Sequence, residues 1–194
     1  MNLDDFKKQV EEFNDIKAEL LGREPSQEHQ YKLYTDEVEE LLFEIRKHIN
    51  EVLTTGAELY DAPKPHDELI KEAVDVAFTL APIAEYVESS GELLDAVAIT
   101  YVSSIFDNEE PLIAATVESN LSKYVYPASG NKFTSDEMEV FTRHSETFDK
   151  SRYPHIIFYV ASYEGKQVGG WFCGDKLLKG INYRSPGEIM EAVA

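Results

Sequence analysis

Two acidic pairs, each written on a stretch of helical periodicity, constrain this chain more than any other feature. Tyr34-Thr35-Asp36-Glu37-Val38-Glu39-Glu40-Leu41-Leu42 carries the first pair. Glu68-Leu69-Ile70-Lys71-Glu72-Ala73-Val74-Asp75-Val76-Ala77-Phe78 carries the second. In each, two carboxylates stand three residues apart, Glu37 with Glu40 and Glu72 with Asp75, so each pair shares one helix face. Two such helices packed side by side bring four carboxylates together. Like charges at that density cannot share a dry site unless cations neutralise them. Hard divalent ions with oxygen ligands, Mg²⁺ above all, meet that need.

The helices that would carry these pairs are legible from apolar spacing. Leu3, Phe6, Val10, Phe13, Ile16 and Leu20 recur at helical intervals over 3–21, and Gly22 with Pro25 breaks the run. Ser26 is placed to cap a second helix over about 27–54, whose stripe is Tyr34, Val38, Leu41, Ile45, Ile49 and Val52. On a helical wheel Glu37, Glu40 and Glu44 fall about a quarter turn to one side of that stripe, at the edge of the buried seam. Thr54–Pro65 reads as a loop of a length that lets two long helices run antiparallel. The third helix, about 66–88, is apolar over most of its circumference apart from a strip of Glu68, Glu72, Asp75 and Thr79. A helix of that kind is normally buried, and charges on it need partners.

Further helices are expected at about 92–106 and 111–125, with Asn120 and Lys123 at the C-terminal end of the latter. Residues 127–155 are polar, with a short helix at 135–143. Ile156–Ser162 and Gln167–Cys173 then flank Tyr163-Glu164-Gly165-Lys166, the signature of a β-hairpin. A Lys-rich stretch from Gly174 to Tyr183 follows, then Pro186 and a short terminal helix.

With 194 residues and 43% hydrophobic content, the chain can bury a proper core. A single cysteine, Cys173, excludes an internal disulfide framework and fits a reducing compartment. No apolar run approaches the roughly 20 residues of a membrane span, and the acidic N-terminus does not read as a signal peptide. A cytoplasmic protein without membrane contact is expected. The net charge of −19 argues against direct nucleic-acid binding. That charge is uneven. Residues 1–122 hold 28 acidic and 9 basic side chains, whereas residues 123–184 hold 7 and 9. If the acidic part collects cations, the later part can meet an anionic ligand directly.

The five histidines are scattered, with no His-Glu-x-x-His or Cys/His cluster, and no phosphate-binding P-loop, Rossmann fingerprint or nucleophile elbow is present. The order Glu37-x-x-Glu40 followed by Glu72-x-x-Asp75 on the next helix resembles the all-α nucleoside triphosphate pyrophosphohydrolases. That group includes the MazG proteins, the dimeric dUTPases and phosphoribosyl-ATP pyrophosphohydrolase. Leu33–Leu41 looks like the family's helix of two adjacent acids with a third three residues on, with Asp36 standing where the family usually has Glu. Ser119-Asn120-Leu121-Ser122-Lys123 is similar to the Asn/Lys segment of phage and bacterial MazG-like proteins. Lys176–Tyr183, with Pro186, resembles their C-terminal Lys-rich motif.

The resemblance implies a mainly α fold, an antiparallel helical bundle of the all-α NTP pyrophosphatase type with a C-terminal β-hairpin extension. A catalytic domain over 1–126 and an extension over 127–194 packed on the same domain are expected. The implied activity converts a nucleoside triphosphate, ribo or deoxy, to the monophosphate and pyrophosphate. Glu37, Glu40, Glu72 and Asp75 would hold Mg²⁺, with Mn²⁺ able to substitute, and Glu37 or Asp36 would orient or deprotonate the attacking water. Lys123, Lys176 and Lys179 would meet the phosphates, Tyr183 would hydrogen-bond one of them, and Asn120 would read the base or sugar. A homodimer or homotetramer is implied. Two alternatives stand beside this one: a dUTPase or phosphoribosyl-ATP hydrolase of the same superfamily, and a non-catalytic acidic helical module that binds a basic partner.

Overall fold

The computed structural model describes residues 3–55, 67–83, 86–87 and 110–193. They are mainly helical, with a small three-stranded antiparallel sheet. Helix α1 spans Leu3–Leu21 and α2 spans Gln27–Thr55, as the apolar spacing requires. Helix α3 is shorter than expected. It runs from Asp67 to Leu80 and tightens into one 3₁₀ turn over Ala81–Ile83. Pro82 accounts for the change, because a proline disfavours helical backbone at the residue before it. The helix expected at 92–106, residues 56–65 of the expected loop and residues 66, 84, 85 and 88 of the expected third helix lie outside the described residues.

Helix α4 covers Glu110–Leu121 and stops short of the expected 125. Its end tightens through Lys123 N–H to the Asn120 carbonyl at 3.2 Å and Tyr124 N–H to that of Leu121 at 3.1 Å. Val125 must then be extended, since it exchanges backbone hydrogen bonds with Gly169 at 2.9 and 2.8 Å. Helix α5, Ser135–Ser145, starts at a capping box in which Thr134 and Glu137 satisfy each other's backbone N–H groups. Strands β1 (Ile156–Tyr163) and β2 (Lys166–Cys173) form the expected hairpin. Its turn has positive φ at both Glu164 and Gly165, the type I′ pattern that matches strand twist. Strand β3 (Lys176–Leu177) extends the sheet on the other side of β2, and α6 (Pro186–Val193) closes the chain.

The chain divides into two compact units, Met1–Lys7 with Ser26–Thr116, and Lys8–Pro25 with Val117–Ala194. In the first, α2 packs against α3. Tyr34, Val38 and Leu41 are buried on α2, and Leu69, Ile70, Ala73, Val74, Val76, Ala77 and Phe78 on α3. Beyond Leu41 the α2 stripe loosens. Ile45 and Val52 are half-buried, and Ile49 is exposed together with Phe43 and Leu53. Length explains this. At about 1.5 Å per residue α2 runs roughly 44 Å and α3 only about 21 Å, so α2 outlasts the helix it packs on.

The second unit is built on the sheet. Ile16 and Leu20, from the later turns of α1, form one buried cluster with Tyr124, Val168 and Phe172. Trp171, wholly buried, centres another with Val125, Phe141 and Leu178. Its indole N–H donates to Ser145 Oγ at 2.9 Å, which meets the need of a buried indole for an acceptor. Gly169 is glycine for lack of room: a Cβ there would lie 2.5 Å from the Phe158 ring. Among the described residues no helix is long and apolar enough to cross a membrane.

Candidate functional site

The acidic edge of α2 meets the acidic strip of α3 within the first unit. One carboxylate oxygen from each of Glu37, Glu40 and Glu72 lies within 4.8 Å of the other two. Glu37 is half-buried, Glu40 exposed and Glu72 buried, so the group grades from solvent into the seam. Helix geometry alone produces this. Glu37 and Glu40 flank the buried Tyr34–Val38–Leu41 stripe, and Glu72 sits among seven buried apolar neighbours on α3. All three donors are oxygens, the ligand set of a hard cation. Two oxygens on opposite sides of such an ion stand about twice a bond length apart, roughly 4–5 Å. Three carboxylate oxygens this close together could hold a metal ion.

Electrostatics makes the same point. Burial pushes the Glu72 carboxyl above its ordinary range, and the charges of Asp75 and Glu40 push it further. Lys71 opposes them, with Nζ 2.9 Å from Glu72 and 3.1 Å from Glu68. Burial pulls Lys71 down, but the hydrogen bonds and charges of Glu72 and Glu68 outweigh it and hold the ammonium above its ordinary range. Lys71 thus partly offsets the burial and like charges that act on Glu72. Asp75 stands beside the trio rather than in it: its charge acts on Glu72, and its carbonyl accepts from Thr79 Oγ1 at 3.2 Å. Asp36 is turned outward, where Lys32 Nζ binds it at 2.7 Å one helical turn away.

The residues expected to meet phosphates and base belong to the second unit. Asn120 is buried, and its Oδ1 accepts from Lys123 Nζ at 2.5 Å. Lys176 and Lys179 are exposed. Lys179 Nζ stands 4.6 Å from the centre of the Tyr183 ring, a cation–π contact. Arg184 ties the following segment to the end of α4, its N–H donating to Ser122 Oγ at 3.0 Å and its guanidinium 3.4 Å from Glu118. A Cβ on Gly180 would stand 3.1 Å from the Lys123 carbonyl and 2.7 Å from the Trp171 ring, so the Lys-rich segment lies directly on Lys123.

Lys71, Lys17, Arg23 and Asp175 escaped the reading of the sequence. Lys71 was legible in principle, since it stands between Glu68 and Glu72 on a helix with few other cations. Lys17 also left a trace, because on the α1 wheel it falls inside the arc of Leu20, Phe6 and Val10. The bond between Arg23 and Asp175 joins residues 152 apart in the chain and had no local signature. No family model, curated protein or solved structure matches this chain.

Proposed function

We propose that this protein is a Mg²⁺-dependent nucleoside triphosphate pyrophosphohydrolase built on an antiparallel helical bundle of the all-α type. The observation that carries the reading is the convergence of Glu37, Glu40 and Glu72 from two helices onto one small volume, with Asp75 alongside. Those four carboxylates are the ones the family resemblance assigns to metal. When bound, a divalent ion supplies charge neutralisation at phosphate oxygens and makes water a better nucleophile.

The chain's own residues would do the rest. Exposed Glu40 and buried Glu72 would hold the cation. Glu37, half-buried at the rim, is better placed than the outward Asp36 to accept a proton from, or orient, the attacking water. Lys123, Lys176 and Lys179 are the donors proposed for the outer phosphates. Asn120, held by Lys123, is the group proposed to read base or sugar. The exposed apolar side chains on the later half of α2, Phe43, Ile49 and Leu53, support the reading of a homodimer or homotetramer, since such a row is normally covered.

The test is to incubate the purified protein with each common NTP and dNTP, with and without Mg²⁺ or Mn²⁺, and to measure monophosphate and pyrophosphate. Metal-dependent release from one or a few nucleotides is expected, and Glu40→Ala or Asp75→Ala should reduce it at least a hundredfold while leaving helicity intact. Full activity in either variant would remove its carboxylate from the mechanism. No release from any nucleotide would leave the acidic edge as a surface for a basic protein partner.

A further inference from the structure

Strand β1 is the long open edge of the sheet, since the order is β1-β2-β3 and only β2 lies beside it. The hydrogen-bond pattern fixes which of its groups face outward. On β2, Gly169 exchanges backbone bonds with Val125 at 2.9 and 2.8 Å. Gln167 N–H donates to the Asn131 carbonyl at 2.8 Å, and the Trp171 carbonyl accepts from Leu178 N–H at 2.8 Å. These odd-numbered residues of β2 therefore turn their backbone groups away from β1. Bonded and non-bonded pairs alternate along an antiparallel ladder, so the even-numbered residues of β2 bond Ile157, Tyr159, Ala161 and Tyr163. Ile156, Phe158, Val160 and Ser162 are left with N–H and C=O directed at the outer edge. Among the described residues those groups meet no partner.

Nothing within the strand blunts that edge. Soluble proteins protect long edges with charged side chains, proline, bulges or a covering element. All 8 residues of β1, Ile156 to Tyr163, are uncharged, and none is proline or glycine. The register with β2 runs one-to-one from end to end, so no bulge bends the strand away. Ile157 and Val160 are 50% and 37% exposed, one on each face of the strand. The far side of β2 is different, because Val125, Asn131 and β3 all bond to it.

We infer that β1 is an interaction surface that pairs antiparallel with β1 of a second copy of this chain, joining their two sheets edge to edge. Pairing about a twofold axis at Tyr159 sets Ile156 against the partner's Ser162 and Phe158 against the partner's Val160. These are the outward-directed residues, so each such pair exchanges two backbone hydrogen bonds. On the other face Ile157 meets the partner's Ala161, and Tyr159 meets the partner's Tyr159 on the axis. At every position off the axis a larger side chain stands opposite a smaller one, the fit that cross-strand neighbours need. This self-match, with no charge for a foreign peptide to read, favours a second copy as the occupant. Charge favours it too. A chain at −19 repels itself. Residues 123–184 hold 7 acidic and 9 basic side chains against 28 and 9 in residues 1–122, so copies meet at β1 with far less repulsion. A twofold contact of this kind also closes on itself rather than growing into a fibre. The inference involves no residue of α2 and depends on neither metal binding nor nucleotide hydrolysis.

The experiment is light scattering of the full chain over a wide concentration range, on the wild type, Val160→Pro and Val160→Lys. Proline removes the Val160 N–H, which points to the outer edge, and leaves every bond to β2 in place. Lysine sets a charge opposite the partner's Phe158. The wild type is expected as a dimer or an even multiple, and each variant at half that mass with unchanged helical content. A second readout fixes the register. Tyr159→Cys in a Cys173→Ser background should form a disulfide-linked dimer under mild oxidation, because the two cysteines face each other as a close non-bonded pair. Lys150→Cys in the same background, at an exposed site off the strand, should not. If one variant at Val160 fails to fold, the other is read together with the cross-link. A wild type that is monomeric throughout overturns the inference and leaves the edge to a strand of a different protein. So do folded variants that keep the wild-type mass, or a Tyr159→Cys protein that cross-links no faster than Lys150→Cys. A mass that falls with changes at Phe43 and Leu53 but not at Val160 places the contact on α2 and overturns it as well.

Discussion

Glu72 is a buried carboxylate with Asp75 and Glu40 pushing its proton affinity up and Lys71 pulling it down. Because the folded protein holds that proton more tightly than the unfolded chain, Glu72 contributes stability that is present below the ordinary carboxylate pKa. That stability is lost as pH rises through the folded value. At neutral pH and without metal, its charge therefore weakens the fold. Glu72→Gln is accordingly expected to stabilise the metal-free protein at pH 7, by about 0.5–2 kcal/mol on the scale of single favourable substitutions, with the difference shrinking toward pH 4. The same variant should lose any rise in melting temperature on adding Mg²⁺ or Mn²⁺. Thermal unfolding of both proteins with and without metal checks this, and a destabilised variant that keeps its metal response would contradict it. At this scale the sequence was informative about Glu37, Glu40 and Glu72, because helical spacing alone puts them at a seam. It was uninformative about Lys71's pairing and Asp36's outward turn, which depend on rotamers and on which neighbour is within reach.

Elements were legible where their causes are local. The starts and ends of α1 and α2, the β1–β2 hairpin and the apolar face of α3 follow from periodicity, Gly22, Pro25 and the Glu164-Gly165 turn. The early end of α4 did not, because it is set by Val125 pairing with Gly169, a contact 44 positions away in the chain. Strand β3 was missed for a similar reason: two residues are too few to show alternation, and only the neighbouring β2 makes Lys176–Leu177 a strand. Gly180 illustrates how such contacts become requirements. A methyl group there would meet the buried Trp171 ring at 2.7 Å and the Lys123 carbonyl at 3.1 Å. Gly180→Ala is expected to cost about 1–3 kcal/mol, the usual price of overpacking. Denaturant unfolding measures the effect. A variant with wild-type stability would show that the segment bearing Lys179 is free to shift.

For the whole molecule, the sequence marked which faces are buried but not what covers them. The stripe of α1 predicted burial of Ile16 and Leu20, yet nothing in 8–25 announces that those side chains pack against β2 some 150 residues later. The same limit applies to α2 beyond Leu41. Its row of Phe43, Ile49 and Leu53, between 50 and 73% exposed, belongs under another chain if the oligomer reading is right. Phe43→Asp with Leu53→Glu should then reduce the mass measured by light scattering by at least half, with helical content retained. An unchanged mass would put the subunit contact elsewhere or leave the protein a monomer.

The most direct test of the central claim, that Glu37, Glu40 and Glu72 form a divalent-cation site, is a Mn²⁺ titration followed by electron paramagnetic resonance in the absence of nucleotide. Saturable binding to the wild-type protein, displaced by Mg²⁺ and weakened tenfold or more by Glu40→Gln, is the predicted result. No saturable binding, or binding that Glu40→Gln leaves unchanged, would contradict it.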